Sequence, residues 1–259
     1  MKPSRVVLSF DDGRKDNYDI VIPILEKYCL TATFNISTAY VDKSINVSDR
    51  PCLNEPMTIE NIKAIYGKGF EIACHGDRHK NDIEDIRRGY KKLSTWLQWG
   101  KNFKPGFASP NSRLLEEDIR IGIDKYQEMF AYVRIAAYNK TSLLRRIVRK
   151  IAHISHSLVL YKISFMNCVG GMHNNFIVAS VPIIHVTTVN QIKAIIMAAQ
   201  VEHKDCVLMF HSILPQMAPY YDDTFTWDVD CFDELCKWLR DGIDSKNLNV
   251  VRTMDLCDI

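Results

Sequence analysis

Short, almost wholly apolar runs recur along this chain, and stretches with helical periodicity lie between them. The runs cover residues 6–10, 31–36, 70–74, 103–108, 178–184, 206–210 and 248–252. A strand exposed to water on one face alternates apolar and polar residues, whereas a strand apolar throughout must be covered on both faces. Such strands separated by helices predict a parallel sheet clothed in helices, an α/β fold. About seven units in one chain fit a distorted (β/α) barrel, complete or incomplete. An open doubly wound sheet is the competing arrangement.

The helical stretches carry their own punctuation. Ile83, Ile86, Tyr90, Leu93 and Leu97 recur every three or four residues behind Asp82, a capping residue. Residues 58–66 read the same way and end on Gly67 and Gly69. Ile192, Ile195, Ile196 and Ala199 follow Thr188, and residues 228–240 precede Gly242. No internal repeat or linker divides the chain, so residues 1–259 are expected to form a single domain.

The bulk properties exclude several classes. With 47% apolar and 25% charged residues the composition is globular, and a formal charge of +2 gives no general attraction to nucleic acid. The β-like run at residues 6–10 leaves no room before it for the apolar core of a signal peptide. A cytoplasmic location is therefore expected. The eight cysteines form no C-x-x-C pair, which argues against a zinc ribbon or disulfide framework and for small buried hydrophobes. Residues 143–158 stand apart. Leu143, Leu144, Ile147, Val148, Ile151 and Ile154 share a helical pattern with Arg145, Arg146, Arg149 and Lys150. This is the pattern of a surface helix with a solvated basic face, or of one that makes weak contact with a membrane surface or partner.

Polar residues with catalytic chemistry follow four of the apolar runs, and in a parallel α/β protein strand ends converge on one edge. Asp11 and Asp12 end the first run. Adjacent buried carboxylates repel, and a metal bound by one leaves the other free as a base. His75 and His79, four residues apart, end another run. Two histidines and one aspartate make a three-ligand set with an open position for water. Ser109-Pro110-Asn111 follows the fourth run and reads first as a turn. His211 ends an apolar strand, where an imidazole can serve as a general acid.

The order Ser9-Phe10-Asp11-Asp12-Gly13, His75-x-x-x-His79, Phe107 to Asn111 and Leu208-x-x-His211 resembles the polysaccharide deacetylases of carbohydrate esterase family 4. The resemblance runs from residue 5 to the Val250-Val251-Arg252-Thr253-Met254 ending. It implies a distorted (β/α) barrel and one divalent metal, zinc by preference with cobalt, nickel or iron as alternatives, held by Asp12, His75 and His79. It further implies Asp11 as the base that takes a proton from the attacking water and His211 as the acid for the leaving amine. The backbone N–H of Asn111, beside Pro110, would help the metal stabilise the oxyanion.

The substrate class implied is an N-acetylated carbohydrate, with Trp227, Tyr220 and Tyr221 as candidate stacking platforms for a sugar ring. Hydrolysis of a non-sugar amide, and a carbohydrate-binding protein that has lost turnover, are the alternatives.

The sequence departs from the family pattern at four places. Gly76 stands where Ser or Thr is usual, and Ala108 where an arginine orients the base. Asn111 replaces an aromatic residue, and the Asp-x-x-Asp-Trp motif that tunes the acid histidine has no counterpart between Phe130 and Phe176.

Overall fold

All seven apolar runs contain strand, and they pair only in parallel. The computed structural model describes residues 4–221 and 224–257. Its strands are β1 (Ser4–Phe10), β2 (Thr33–Ile36), β3 (Glu71–Cys74), β4 (Gly106–Ala108), β5 (Tyr132–Ile135), β6 (Ile177–Ala179), β7 (Val181–Pro182), β8 (Cys206–Phe210), β9 (Ser212–Leu214), β10 (Thr226–Asp228) and β11 (Leu248–Val250). The main sheet runs β6-β5-β4-β3-β2-β1-β8-β7, and β11 extends the start of β1. β6 and β7, at opposite ends of that order, are separated only by Ser180. Chain continuity therefore joins the two ends, and the sheet is a nearly closed, distorted (β/α) barrel. Its eight runs behave as about seven staves, because β6 and β7 form one staggered strand.

The unforeseen stave is β5. Its sequence, Tyr-Val-Arg-Ile, places a charge in mid-strand and so lacks the apolar signature. Every residue of it is nonetheless buried.

Alternation along the strands separates two layers. Phe10 faces the helices, stacked at 5.2 Å on Phe34 and 5.3 Å on Phe210, with Phe232 edge-on at 5.7 Å. Its neighbours on the other face line the barrel. Val7, Tyr132, Val178, Val207 and Leu256 form a separate apolar cluster there. The lumen also holds Glu71, which accepts hydrogen bonds from Tyr132 Oη (2.7 Å), Thr33 Oγ1 (2.8 Å) and the Met254 N–H (2.9 Å). The C-terminal turn Thr253–Leu256 thus plugs the barrel at the end opposite the site.

The helices begin where their caps predict. Thr58 and Thr188 form reciprocal capping boxes with Asn61 and Gln191, and Asp82 and Asp228 accept first-turn N–H groups. Each such cap contributes about 1 kcal/mol. All eight cysteines are free and five are buried, as expected of small core residues.

Candidate metal and catalytic site

The alternation that carries Ser9 inward also carries Asp11 inward, and its N–H donates to the Phe210 carbonyl at 2.9 Å. By the same rule Asp12 would point out of the barrel. It does not, because Asp12 and Gly13 have φ of 80° and 86°, and this left-handed turn swings the Asp12 carboxylate back beside that of Asp11. Gly13 suits the turn for a second reason: a Cβ there would press to 3.3 Å on Ile36 and Val41. His79 and Asn111 are also left-handed, at 58° and 55°. Strained backbone of this kind collects at functional sites.

Asp12 Oδ1 lies 3.6 Å from His75 Nε2 and 3.4 Å from His79 Nε2. It is a buried oxygen with no hydrogen-bond partner. His75 Nδ1 is 2.8 Å from the Ala108 carbonyl, which fixes the proton on Nδ1 and frees the Nε2 lone pair. Asp12, His75 and His79 each offer one ligand atom, all within 4.8 Å of one another. A buried, orphaned carboxylate oxygen between two such imidazoles fits a divalent cation. Burial pushes both imidazoles below the ordinary histidine pKa, against the pull of the two aspartates, so they favour the neutral form that a ligand requires.

The repulsion between the two carboxylates is relieved by protein as well. Arg134 Nη2 donates to both Asp11 oxygens at 2.7 Å, and Asn35 Nδ2 donates to Oδ1 at 2.8 Å. Arg14 holds the other oxygen of Asp12, Oδ2, at 2.9 Å and reaches Ser212 Oγ at 2.9 Å. Both arginines are only 1% exposed. Burial alone would raise the Asp11 pKa, but the Arg134 guanidinium holds it below the ordinary carboxylate range. Asp11 is thus kept ionised and oriented.

One side chain gathers the N–H groups of the loop between the histidines. Buried Asp85 accepts the N–H groups of Asp77 (3.0 Å), Arg78 (3.0 Å) and Lys80 (3.2 Å). Gly76 has φ of 76°, which disfavours any side chain at that position. The helix Ile83–Leu97 presses Gly89 against it, where a Cβ would come 2.6 Å from the Gly76 carbonyl carbon. Backbone meets backbone there, so neither partner can yield cheaply. Gly89→Ala is expected to destabilise the protein by about 1–3 kcal/mol and to weaken cation binding by displacing His75 and His79. Thermal unfolding and cation titration would measure the two effects.

Asp11, Asp12, Arg14, His75, His79, Asn111, His211 and Phe225 line one cavity of about 360 Å³. A second cavity of about 440 Å³ shares Pro51, His79 and Asn111 with it and is lined by Arg50, Arg78, Lys80 and Arg113 against the single acid Asp49.

Among known proteins, the polysaccharide deacetylase family matches this chain over residues 1–120. The matched part carries Asp11, Asp12, His75, His79 and Asn111; His211 lies beyond it. No curated protein matches the chain. Among solved structures, similarity extends to the Xyl-CE4 domain of a multidomain xylanase from the hindgut metagenome of Trinervitermes trinervoides (14% identity, 98% of this chain, 89% of that one, TM-score 0.48). It extends also to the Bc1960 peptidoglycan N-acetylglucosamine deacetylase (13% identity, 97% and 87%, TM-score 0.48). A third is a BA3943 mutant described as a CE4 family pseudoenzyme with restored activity (14% identity, 99% and 68%, TM-score 0.49).

The fold brings Asp11, Asp12, His75, His79, Asn111 and His211 to one cavity. Pro110 shapes the turn instead of lining the cavity; its carbonyl accepts from Asn81 Nδ2 at 2.8 Å. Asn111 donates through Nδ2 to the His79 carbonyl at 3.2 Å, tying the third motif to the second. Trp227 does not line this cavity. It is 2% exposed, donates to the Thr187 carbonyl at 2.7 Å and packs 5.6 Å from Phe210. Tyr220 and Tyr221 do not line the cavity either; the aromatic residue that does is Phe225, 4.9 Å from the His211 ring.

Where the resemblance leads one to expect an arginine at Ala108, the next strand supplies one. Ala108 pairs with Arg134 across β4 and β5, so the guanidinium reaches Asp11 from one stave further round. The expected Asp-x-x-Asp-Trp motif has no such counterpart among the described residues: His211 Nδ1 is buried without a hydrogen-bond partner. Among the described residues no ion pair reaches this imidazole.

Proposed function

We propose that this protein is a metal-dependent deacetylase that hydrolyses the N-acetyl group of an amino sugar. The orphaned Asp12 Oδ1 between His75 Nε2 and His79 Nε2, with the carboxylate of Asp11 alongside, carries the reading. A divalent cation held there would make water more acidic and polarise an acyl carbonyl. Asp11, ionised and fixed by Arg134, accepts the proton of the attacking water. His211, across the cavity, donates a proton to the departing amine. The Asn111 N–H is the candidate donor to the developing oxyanion.

The adjoining cavity favours a sugar that carries negative charge, such as a phosphorylated or lipid-linked one, over a neutral polymer. Its four cations, Arg50, Arg78, Lys80 and Arg113, have no ion-pair partner among the described residues. Acetate release from neutral and phosphorylated N-acetyl sugars, with zinc, cobalt, nickel or chelator, tests the reading. No release from any of them under any metal would refute it. Faster turnover of a non-sugar acetamide would move the substrate class.

An amine leaves a tetrahedral intermediate poorly unless it is protonated, whereas an aryloxide leaves unaided. His211→Ala is therefore expected to lower kcat/KM about 10²–10⁴-fold on an N-acetyl sugar and far less on an aryl acetate. Equal losses on both would make His211 a binding residue.

A further inference from the structure

The basic amphipathic stretch folds with its apolar face outward. It forms two helices, Leu143–Ile154 and Leu158–Phe165, capped by Ser142 and Ser157. On the first, Leu143, Leu144, Ile147, Ile151 and Ile154 are 47–72% exposed. At 100° per residue they form one continuous stripe. On the second, Leu158, Val159 and Ile163 are 41–60% exposed.

The opposite face is the one that packs. Ala152, Tyr161 and Phe165 are buried. Arg149 turns inward, donating to the Ser164 carbonyl at 3.1 Å and Asn167 Oδ1 at 3.0 Å, with its guanidinium 4.2 Å over the Phe165 ring. Gln191 Nε2 locks the Ala152 carbonyl at 2.9 Å. The first helix therefore cannot roll its stripe into the core. An ordinary surface helix does the reverse.

Charge identifies what covers the stripe. Residues 143–165 contain five Lys and Arg and no Asp or Glu, in a chain whose formal charge is only +2. Arg146 and Lys150 border the stripe on one side, and neither has an ion-pair partner among the described residues. An anionic surface would answer these cations and cover the stripe at once. No helix among the described residues is long and apolar enough to cross a membrane.

We propose that the hairpin of residues 143–165 docks on an anionic lipid bilayer, with its aliphatic stripe in the acyl boundary and its cations among the headgroups. The contact is interfacial, and it does not rest on the catalytic reading.

Flotation of the full chain with phosphatidylcholine vesicles, with and without phosphatidylglycerol, at low and moderate salt is the test. Binding is expected only to the anionic vesicles and is expected to weaken with salt. Arg146→Gln/Lys150→Gln should lower the partition coefficient roughly thirty-fold, about five-fold per cation. Ile147→Ser/Ile151→Ser should abolish binding; both positions are exposed, and an unchanged unfolding temperature would show that the fold is intact. Equal binding to neutral vesicles, or binding indifferent to these substitutions, overturns the proposal. So does a wild-type chain that ignores vesicles, whether as a monomer or as a dimer that Ile147→Ser/Ile151→Ser splits.

Discussion

A chain with His75→Ala and His79→Ala is expected to purify without its divalent cation and with no measurable turnover, while wild type holds one ion per chain. Two of the three ligand atoms are gone, and Asp12 Oδ1 alone in a buried site cannot hold a hard or borderline cation against water. The loss should be larger than that of any other pair of substitutions in the cavity, because both the acidity of the water and the polarisation of the carbonyl depend on the ion. Elemental analysis of protein purified without added metal reads the outcome directly. Full metal content in the double variant would move the site elsewhere. The fold should survive, since His79 is bordered by solvent and His75 gives up one hydrogen bond, to the Ala108 carbonyl at 2.8 Å.

Asp11→Asn should behave oppositely toward metal. The side chain leaves the three ligands in place, so the ion should remain, while turnover falls on the order of 10²–10⁴-fold for loss of a general base. A second effect follows from burial. Arg134 is 1% exposed and its charge is answered by Asp11, so neutralising Asp11 leaves a buried guanidinium unpaired. Breaking a buried pair from one side costs about 3–5 kcal/mol. For a chain of this size that corresponds to a fall of roughly 6–20 °C in Tm. Turnover must therefore be measured well below the variant's own transition. Asp11→Asn/Arg134→Gln, in which neither charge remains, should recover part of the stability and none of the activity. Loss of metal in Asp11→Asn would make Asp11 a ligand and exchange its role with that of Asp12.

The parallel barrel was legible because strands buried on both faces must be apolar throughout, and because helices carry caps such as Asp82 and Thr188 at their starts. The site was legible where chemistry follows directly on a strand: Asp11 and Asp12 after β1, His75 after β3 and His211 after β8. Parallel strands end on the same edge, so topology alone makes these residues neighbours.

The remaining features required three dimensions. Asp12 points inward only because of a left-handed turn, and no local pattern states that two consecutive side chains share a face. Arg134 was hidden because one buried charge erases the apolar signature of β5, and its role depends on pairing with Ala108 in register. Trp227 reads like a sugar platform in sequence, yet the fold places it in the core. The stripe of residues 143–158 has the same periodicity whichever way the helix faces. Sequence sets that amphipathic pattern; the neighbours of Ala152 and Arg149 decided that the apolar side meets solvent, because they fix how the helix is rotated on the barrel.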